Sequence, residues 1–114
     1  MLDQKSGIAP IGITMGCPAS IGPELIVKFH LARPRSELFP LVIIGDMEVL
    51  EKICSHLDLT IDIRTWKPGM KIVDTSLNVY PASNIKQDSF AFGSPTPETS
   101  IAMASYVEKA IELC

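Results

Sequence analysis

Ile11-Gly12-Ile13-Thr14-Met15-Gly16-Cys17-Pro18-Ala19-Ser20-Ile21-Gly22-Pro23-Glu24 decides how the rest of the chain is read. The apolar run from Ile8 to Met15 reads as a buried strand. Pro10 weighs against its first residues, since proline is confined to strand starts and edges. A tight loop carrying Gly16, Pro18 and Gly22 follows. The chain then enters an apolar-periodic segment, and a helix is expected over 23–32. Pro23 fits the first helical position, where a missing N–H has no intrahelical partner to lose. Glu24 sits where the helix dipole favours negative charge. Leu25, Ile26, Phe29 and Ala32 give this helix its expected apolar face, and Arg33-Pro34-Arg35 closes it. A strand, a glycine-bearing loop and a helix N-terminus together present free backbone N–H groups to an anion or a nucleotide.

Gly16-Cys17-Pro18-Ala19-Ser20-Ile21-Gly22-Pro23-Glu24 resembles the N-terminal signature of the 4-hydroxythreonine-4-phosphate dehydrogenase family, Gly-Asp-Pro-Ala-Gly-Ile-Gly-Pro-Glu. A related loop opens the isocitrate and isopropylmalate dehydrogenases. The departures are Cys17, where the family has Asp, and Ser20, where it has Gly. The first removes a carboxylate from the loop. Replacing Cys17 by Asp is expected to stabilise it, since a carboxylate accepts loop N–H bonds that a thiol largely forgoes. The second departure weakens the case for a left-handed backbone at that position.

The resemblance implies an α/β fold with a largely parallel sheet and flanking helices, part of an isocitrate/isopropylmalate dehydrogenase-like two-domain fold. Residues 1–114 would be a single α/β segment from the N-terminal part of a longer family chain. It implies NAD-dependent, metal-dependent oxidation of a small phosphorylated hydroxy acid with decarboxylation, in pyridoxine (pyridoxal phosphate) biosynthesis. The divalent metal (Zn, Mg or Co) acts as a Lewis acid and is held by histidines from both subunits of a homodimer. Those histidines lie beyond the part of the family chain that this sequence matches. No catalytic or metal residue is therefore assigned, and this segment alone is expected to be inactive. The cofactor-binding candidates are Gly16, Ile21 and Gly22, as a loop bordering the cleft. A non-catalytic, truncated or degenerate α/β domain is the alternative.

Composition narrows the classes. At 114 residues, 46% of them hydrophobic, the chain has room for one domain with a real core. A formal net charge of −3 gives no electrostatic case for nucleic acid. No apolar run approaches the ~18 residues of a membrane span, and Met1 to Gly7 lacks a signal-peptide core. Cytoplasm is the expected location. Cys17, Cys54 and Cys114 form neither a CxxC pair nor a zinc pattern, and Cys54 reads as a small buried hydrophobe.

Downstream, Leu41-Val42-Ile43-Ile44 within Leu38 to Gly45 is a continuous β-branched run, as in a parallel strand covered on both faces. Without later strands of a family chain, this run is expected near an unprotected edge or an uncovered face. Asp46 reads as the N-cap of a second helix carrying Val49, Leu50, Ile53, Cys54 and Leu57. A cap fits Asp46 better than a ribose ligand, because no G-x-G-x-x-G loop precedes it. Leu59 to Trp66 alternates as a half-exposed strand, Pro68-Gly69 is a turn, and Leu77 to Pro81 is a short strand. Ala82 to Pro97 reads as a loop in which Phe90 and Phe92 are either an edge strand or two anchors. Thr96, Pro97 and Glu98 open a last helix, with apolar faces from Ile101, Ala104, Tyr106, Val107, Ile111 and Leu113. Strands alternating with helices argue for α/β.

For the loop at 16–22, the local pattern alone leaves open a tight turn with no ligand. The resemblance favours the cleft reading, and ligands of open α/β sheets bind at strand carboxyl ends, where this loop sits. A reactive Cys17 is the weaker reading, since no His or second Cys is close in sequence. His30 and His56 lie near helix C-termini without metal-pair spacing. Glu108, Lys109 and Glu112 read as a solvated face, and Trp66 and Tyr106 as packing residues.

Overall fold

The computed structural model describes residues 10–33 and 40–113. The elements run β1 Ile11–Thr14, α1 Gly22–Ala32, β2 Leu41–Gly45, α2 Met47–His56, β3 Ile63–Thr65, β4 Leu77–Pro81 and α3 Pro97–Leu113. The expected strand residues Ile8, Ala9 and Leu38, the Pro34-Arg35 helix stop, and Cys114 lie outside the described residues.

The strands form one parallel sheet in the order β1-β2-β4-β3. The β-branched run explains the centre. Every residue of β2 is buried, which requires cover on both faces. α1 packs against α2, and α3 packs against β1 and β2. The expectation of an uncovered face at Leu41 to Ile44 is therefore corrected: Leu41, Val42, Ile43 and Ile44 are the middle of the core.

The chain passes β2 to form β3 at the far edge, then returns to insert β4 between them. The return loop is held by Trp66, buried and donating its indole N–H to the Met70 carbonyl at 2.9 Å. Buried Asn78 donates to the carbonyls of Val73 and Ser76. The half-exposed strand expected over 59–66 narrows to Ile63–Thr65, while Leu59 and Ile61 still pack against the core. Phe90 and Phe92 are anchors and not a strand. Phe90 is buried, and the two rings meet edge to face at 5.3 Å. A 3₁₀ turn, Gln87–Ser89, precedes them.

Two helix faces differ from expectation in the same way. α1 buries Pro23, Ile26 and Val27, while Leu25 and Phe29 are exposed. α3 buries Thr99, Ala102, Tyr106 and Leu113, while Ile101, Val107 and Ile111 are exposed. At 100° per residue each helix carries two apolar stripes on opposite sides. The sequence shows both, and burial selects one.

Candidate functional site

The loop at 16–22 leaves β1 at its carboxyl end. Met15 N–H still pairs with the Ile44 carbonyl at 2.9 Å. Gly16 then takes φ +78°, a left-handed conformation that glycine adopts without penalty. Ser20 N–H closes a turn on the Cys17 carbonyl at 3.0 Å, and Gly93 N–H ties the Ala19 carbonyl from outside at 2.6 Å. Gly22 begins α1 so close to β1 that a Cβ there would stand 2.0 Å from the Met15 carbonyl oxygen. Only glycine fits that approach. Ser20, where the family has Gly, is not among the positive-φ residues, so its side chain costs the backbone nothing.

The two helix N-termini at this edge are unlike. Ile21 occupies the N-cap of α1, is 66% exposed, and supplies no side-chain cap. Pro23 has no N–H, so the first-turn donors left without a side-chain acceptor include Gly22 and Glu24. Glu24 in that turn opposes an anion; Lys28, at 2.6 Å from its carboxylate, offsets the charge.

α2, by contrast, is capped and closed. Asp46 is 1% exposed. One of its oxygens accepts Glu48 N–H at 2.9 Å and Val49 N–H at 3.2 Å. The other accepts Ser83 O–H at 2.7 Å and Ile85 N–H at 2.6 Å. Ser83 has one proton and gives it to the carboxylate, so Tyr106, 2.7 Å away, is the donor to Ser83. The chain Tyr106 to Ser83 to Asp46 joins α3, the loop after β4 and the end of β2. Burial pushes the Tyr106 hydroxyl above its usual range against the effect of its Ser83 hydrogen bond, with Asp46 and Cys17 adding to the rise. The cap reading of Asp46 holds, and its acceptor positions are filled. Nothing in the sequence connects positions 46, 83 and 106; only the fold does.

Cys17 is half-buried, packs against the core and lies close enough to Tyr106 to affect its ionisation. A carboxylate here would meet the core on the Tyr106 side of the loop, where burial opposes its charge. Cys54 is buried, and burial with nearby Glu51 pushes its thiol up.

The other candidate groups are structural. Lys52 reaches the carbonyls of Gln87 and Phe90, lies 3.9 Å over the Phe90 ring, and pins that loop to α2. His56 is exposed against Phe92 at 5.9 Å. A cavity of about 270 Å³, lined by His30, Arg33, Thr60, Asp62, Asp74 and Thr75, opens at the amino ends of β3 and β4. That is the opposite edge from the one where parallel sheets bind ligands. Among the described residues, no group of three or more His, Cys, Asp and Glu is arranged to hold a metal ion. Among them, too, no helix is long and apolar enough to cross a membrane.

The fold recurs in known proteins. No protein-family model matches the chain. A Fusobacterium nucleatum protein provisionally named D-threonate 4-phosphate dehydrogenase is 33% identical over 105 residues, spanning 90% of this chain and 32% of its own length. The 4-hydroxythreonine-4-phosphate dehydrogenase of Desulforapulum autotrophicum is 30% identical over 112 residues, spanning 90% of this chain and 31% of its own. The crystal structure of a 4-hydroxythreonine-4-phosphate dehydrogenase from Burkholderia phymatum superposes with TM-score 0.81 at 25% identity, covering 93% of this chain and 32% of that one. A terephthalate 1,2-cis-dihydrodiol dehydrogenase from Burkholderia xenovorans shares the fold at TM-score 0.65 and 20% identity, covering 90% of this chain and 29% of its own. The chain thus spans about a third of the relatives it matches. The resemblance carried by Gly16 to Glu24 extends along nearly the whole sequence, and the chain is a homologue of the 4-hydroxythreonine-4-phosphate dehydrogenase family over about a third of that family's length.

Proposed function

We propose that this chain supplies the N-terminal α/β segment of a dehydrogenase acting on a small phosphorylated hydroxy acid, with NAD as hydride acceptor. Its own contribution is the loop at 16–22, which borders the cleft. The observation that carries this reading is the α1 N-terminus: Gly22 brings it against the end of β1, and Ile21 leaves its first-turn donors without a side-chain cap. Such donors suit a phosphate or carboxylate oxygen. Gly16 turns the backbone towards that end, and Asp46, with filled acceptor positions, contributes rigidity and no ligand contact.

The residues described here do not fit a metal ion, so no step is routed through one. Metal binding, hydride transfer and decarboxylation belong to the part of a family-length chain that this sequence does not match. The 114-residue chain alone is expected to be inactive and the complete enzyme to be a cytoplasmic homodimer, serving pyridoxine biosynthesis or a related sugar-acid pathway. The matched span is equally compatible with a second reading, an α/β domain that folds without turnover.

One experiment separates the two. This chain is fused in place of the matched third of the Fusobacterium nucleatum relative, and NADH formation is followed with a divalent metal. Both 4-hydroxythreonine 4-phosphate and D-threonate 4-phosphate are supplied. Turnover by the fusion with background rates for the isolated chain supports the proposal. A folded, inactive fusion supports the second reading, and turnover by the isolated chain overturns its expected inactivity.

A further inference from the structure

The loop at 16–22 is not held by its own turn alone. Gly93 N–H donates to the carbonyl of Ala19, a fully buried residue of that loop, at 2.6 Å. A tight turn, Ala91–Ser94, presents Gly93; it is closed by Ser94 N–H on the Ala91 carbonyl at 3.1 Å. Gly93 takes φ +88° at the third position, a left-handed conformation that suits glycine there. α2 places this turn. Lys52 Nζ donates to the Gln87 and Phe90 carbonyls, lies 3.9 Å over the Phe90 ring and stands 5.3 Å from the centre of the Phe92 ring. Gln87 reaches Glu48, one turn earlier on α2, at 2.9 Å. Among the described residues, no carboxylate forms an ion pair with Lys52. Its cation meets the backbone and the rings of the segment that carries the turn.

We infer that Lys52 is a positioning residue for the cleft loop. It acts through Phe90 and the Gly93 turn, which fix the Ala19 carbonyl and with it the backbone leading into the uncapped N-terminus of α1. Only Ala91 and Phe92 stand between Phe90 and Gly93, and only Ser20 between Ala19 and Ile21, so slack introduced at Lys52 passes on to the α1 donors. The inference rests on the proposed place of this loop in a ligand cleft. Donors already held in one orientation bind an anion without the cost of ordering them.

The test uses the Fusobacterium nucleatum fusion described above, carrying Lys52→Met, Lys52→Arg, Gly93→Ala, or Lys52→Met with Gly93→Ala. Lys52→Met keeps the apolar stem and removes the donor. Gly93→Ala meets open space and acts only through the left-handed backbone, so it carries the same test should Lys52→Met not fold. A looser loop loses binding shared by ground state and transition state. KM for D-threonate 4-phosphate or for NAD is therefore expected to rise about tenfold in Lys52→Met, with kcat within about twofold. Lys52→Arg, which keeps its donors, is expected to recover most of that rise. Both substitutions break one link, so the double variant is expected to stay within about twofold of the larger single effect. An unchanged KM for both, a fall in kcat alone, or effects that multiply in the double variant overturn the inference. The link is also read without turnover, in the 114-residue chain. There the Gly93 amide is expected to exchange at least about tenfold faster in Lys52→Met than in the parent. Retained protection overturns the inference whatever the fusion does. A folded parent fusion without activity defeats the functional proposal instead, and the exchange measurement still decides the link.

Discussion

Removing the Asp46 carboxylate is expected to be among the most damaging single changes in this chain. Asp46→Ala deletes the N-cap of α2, which costs about 0.5–2 kcal/mol. It also strips Ile85 N–H and Ser83 O–H of their acceptor at a 1% exposed site, and a buried donor left unpaired costs about 1–3 kcal/mol. Turning Ser83 towards Tyr106 only moves the unpaired proton to the Tyr106 hydroxyl, so the sum is roughly 2–5 kcal/mol. Domains are stable by only about 5–15 kcal/mol in total. Asp46→Asn keeps the shape but points an NH₂ group at two donors whichever way the amide lies; about 1–3 kcal/mol is expected. Tyr106→Phe removes only the outermost donor and costs about 1 kcal/mol. Trp66, the one tryptophan and fully buried, reports unfolding by fluorescence in a urea titration. The expected order of destabilisation is Asp46→Ala, then Asp46→Asn, then Tyr106→Phe. An Asp46→Asn variant within about 0.5 kcal/mol of the parent, or a Tyr106→Phe variant costlier than Asp46→Ala, would refute the carboxylate's place at the centre of the network.

The two loop glycines separate backbone strain from backbone contact. Gly16→Ala meets open space and carries only the left-handed penalty of about 1–2 kcal/mol, whereas Gly22→Ala collides with the Met15 carbonyl and is expected to prevent stable folding or cost well over 3 kcal/mol in a urea titration. His30 gives a pH dependence: burial, then Arg33, holds its imidazole below the usual 6.5. The unfolded chain therefore takes up the proton first, and the contribution of His30 to stability is complete above that value and lost as pH falls through the lowered one. Urea midpoints of the parent and of His30→Gln, measured from pH 8 to 5, are expected to converge towards the acid end. Cys17→Asp is expected to lower the melting temperature at pH 7, reversing the sequence-based expectation, while Cys17→Ala shifts it little; a rise for Cys17→Asp would show the loop amides within its reach.

How much was legible varied with the range over which each feature is encoded. Asp46 as a cap, Leu77 to Pro81 as a strand, Pro97 at a helix start and the β-branched centre at Leu41 to Ile44 are decided by neighbours in sequence, and they read correctly. The backbone course of the loop at 16–22, a tight passage from strand to helix, was legible too, because a left-handed Gly16 and a close-packed Gly22 are conformations that few residues other than glycine permit. The buried stripes of α1 and α3 were not legible. Leu25 and Phe29 are as apolar as Ile26 and Val27, and only the position of the sheet decides which pair faces inward. The Tyr106–Ser83–Asp46 chain was hidden for a related reason. Its members come from a helix, a loop and a strand end, and a serine in an aperiodic loop carries no signal of its partner. The strand expected over 59–66 was too long because alternation persists through Leu59 and Ile61, which pack on the core without joining the ladder.

The place of the loop in a ligand cleft is tested most directly by glycine amide resonances. The Fusobacterium nucleatum fusion, labelled with ¹⁵N-glycine, is titrated with NAD and with D-threonate 4-phosphate. Gly16 and Gly22 at the carboxyl end of β1 are expected to shift, while Gly69, in the exposed turn beyond β3, stays in place. A fusion that turns substrate over while Gly16 and Gly22 remain unmoved would contradict the assignment of this loop to the cleft.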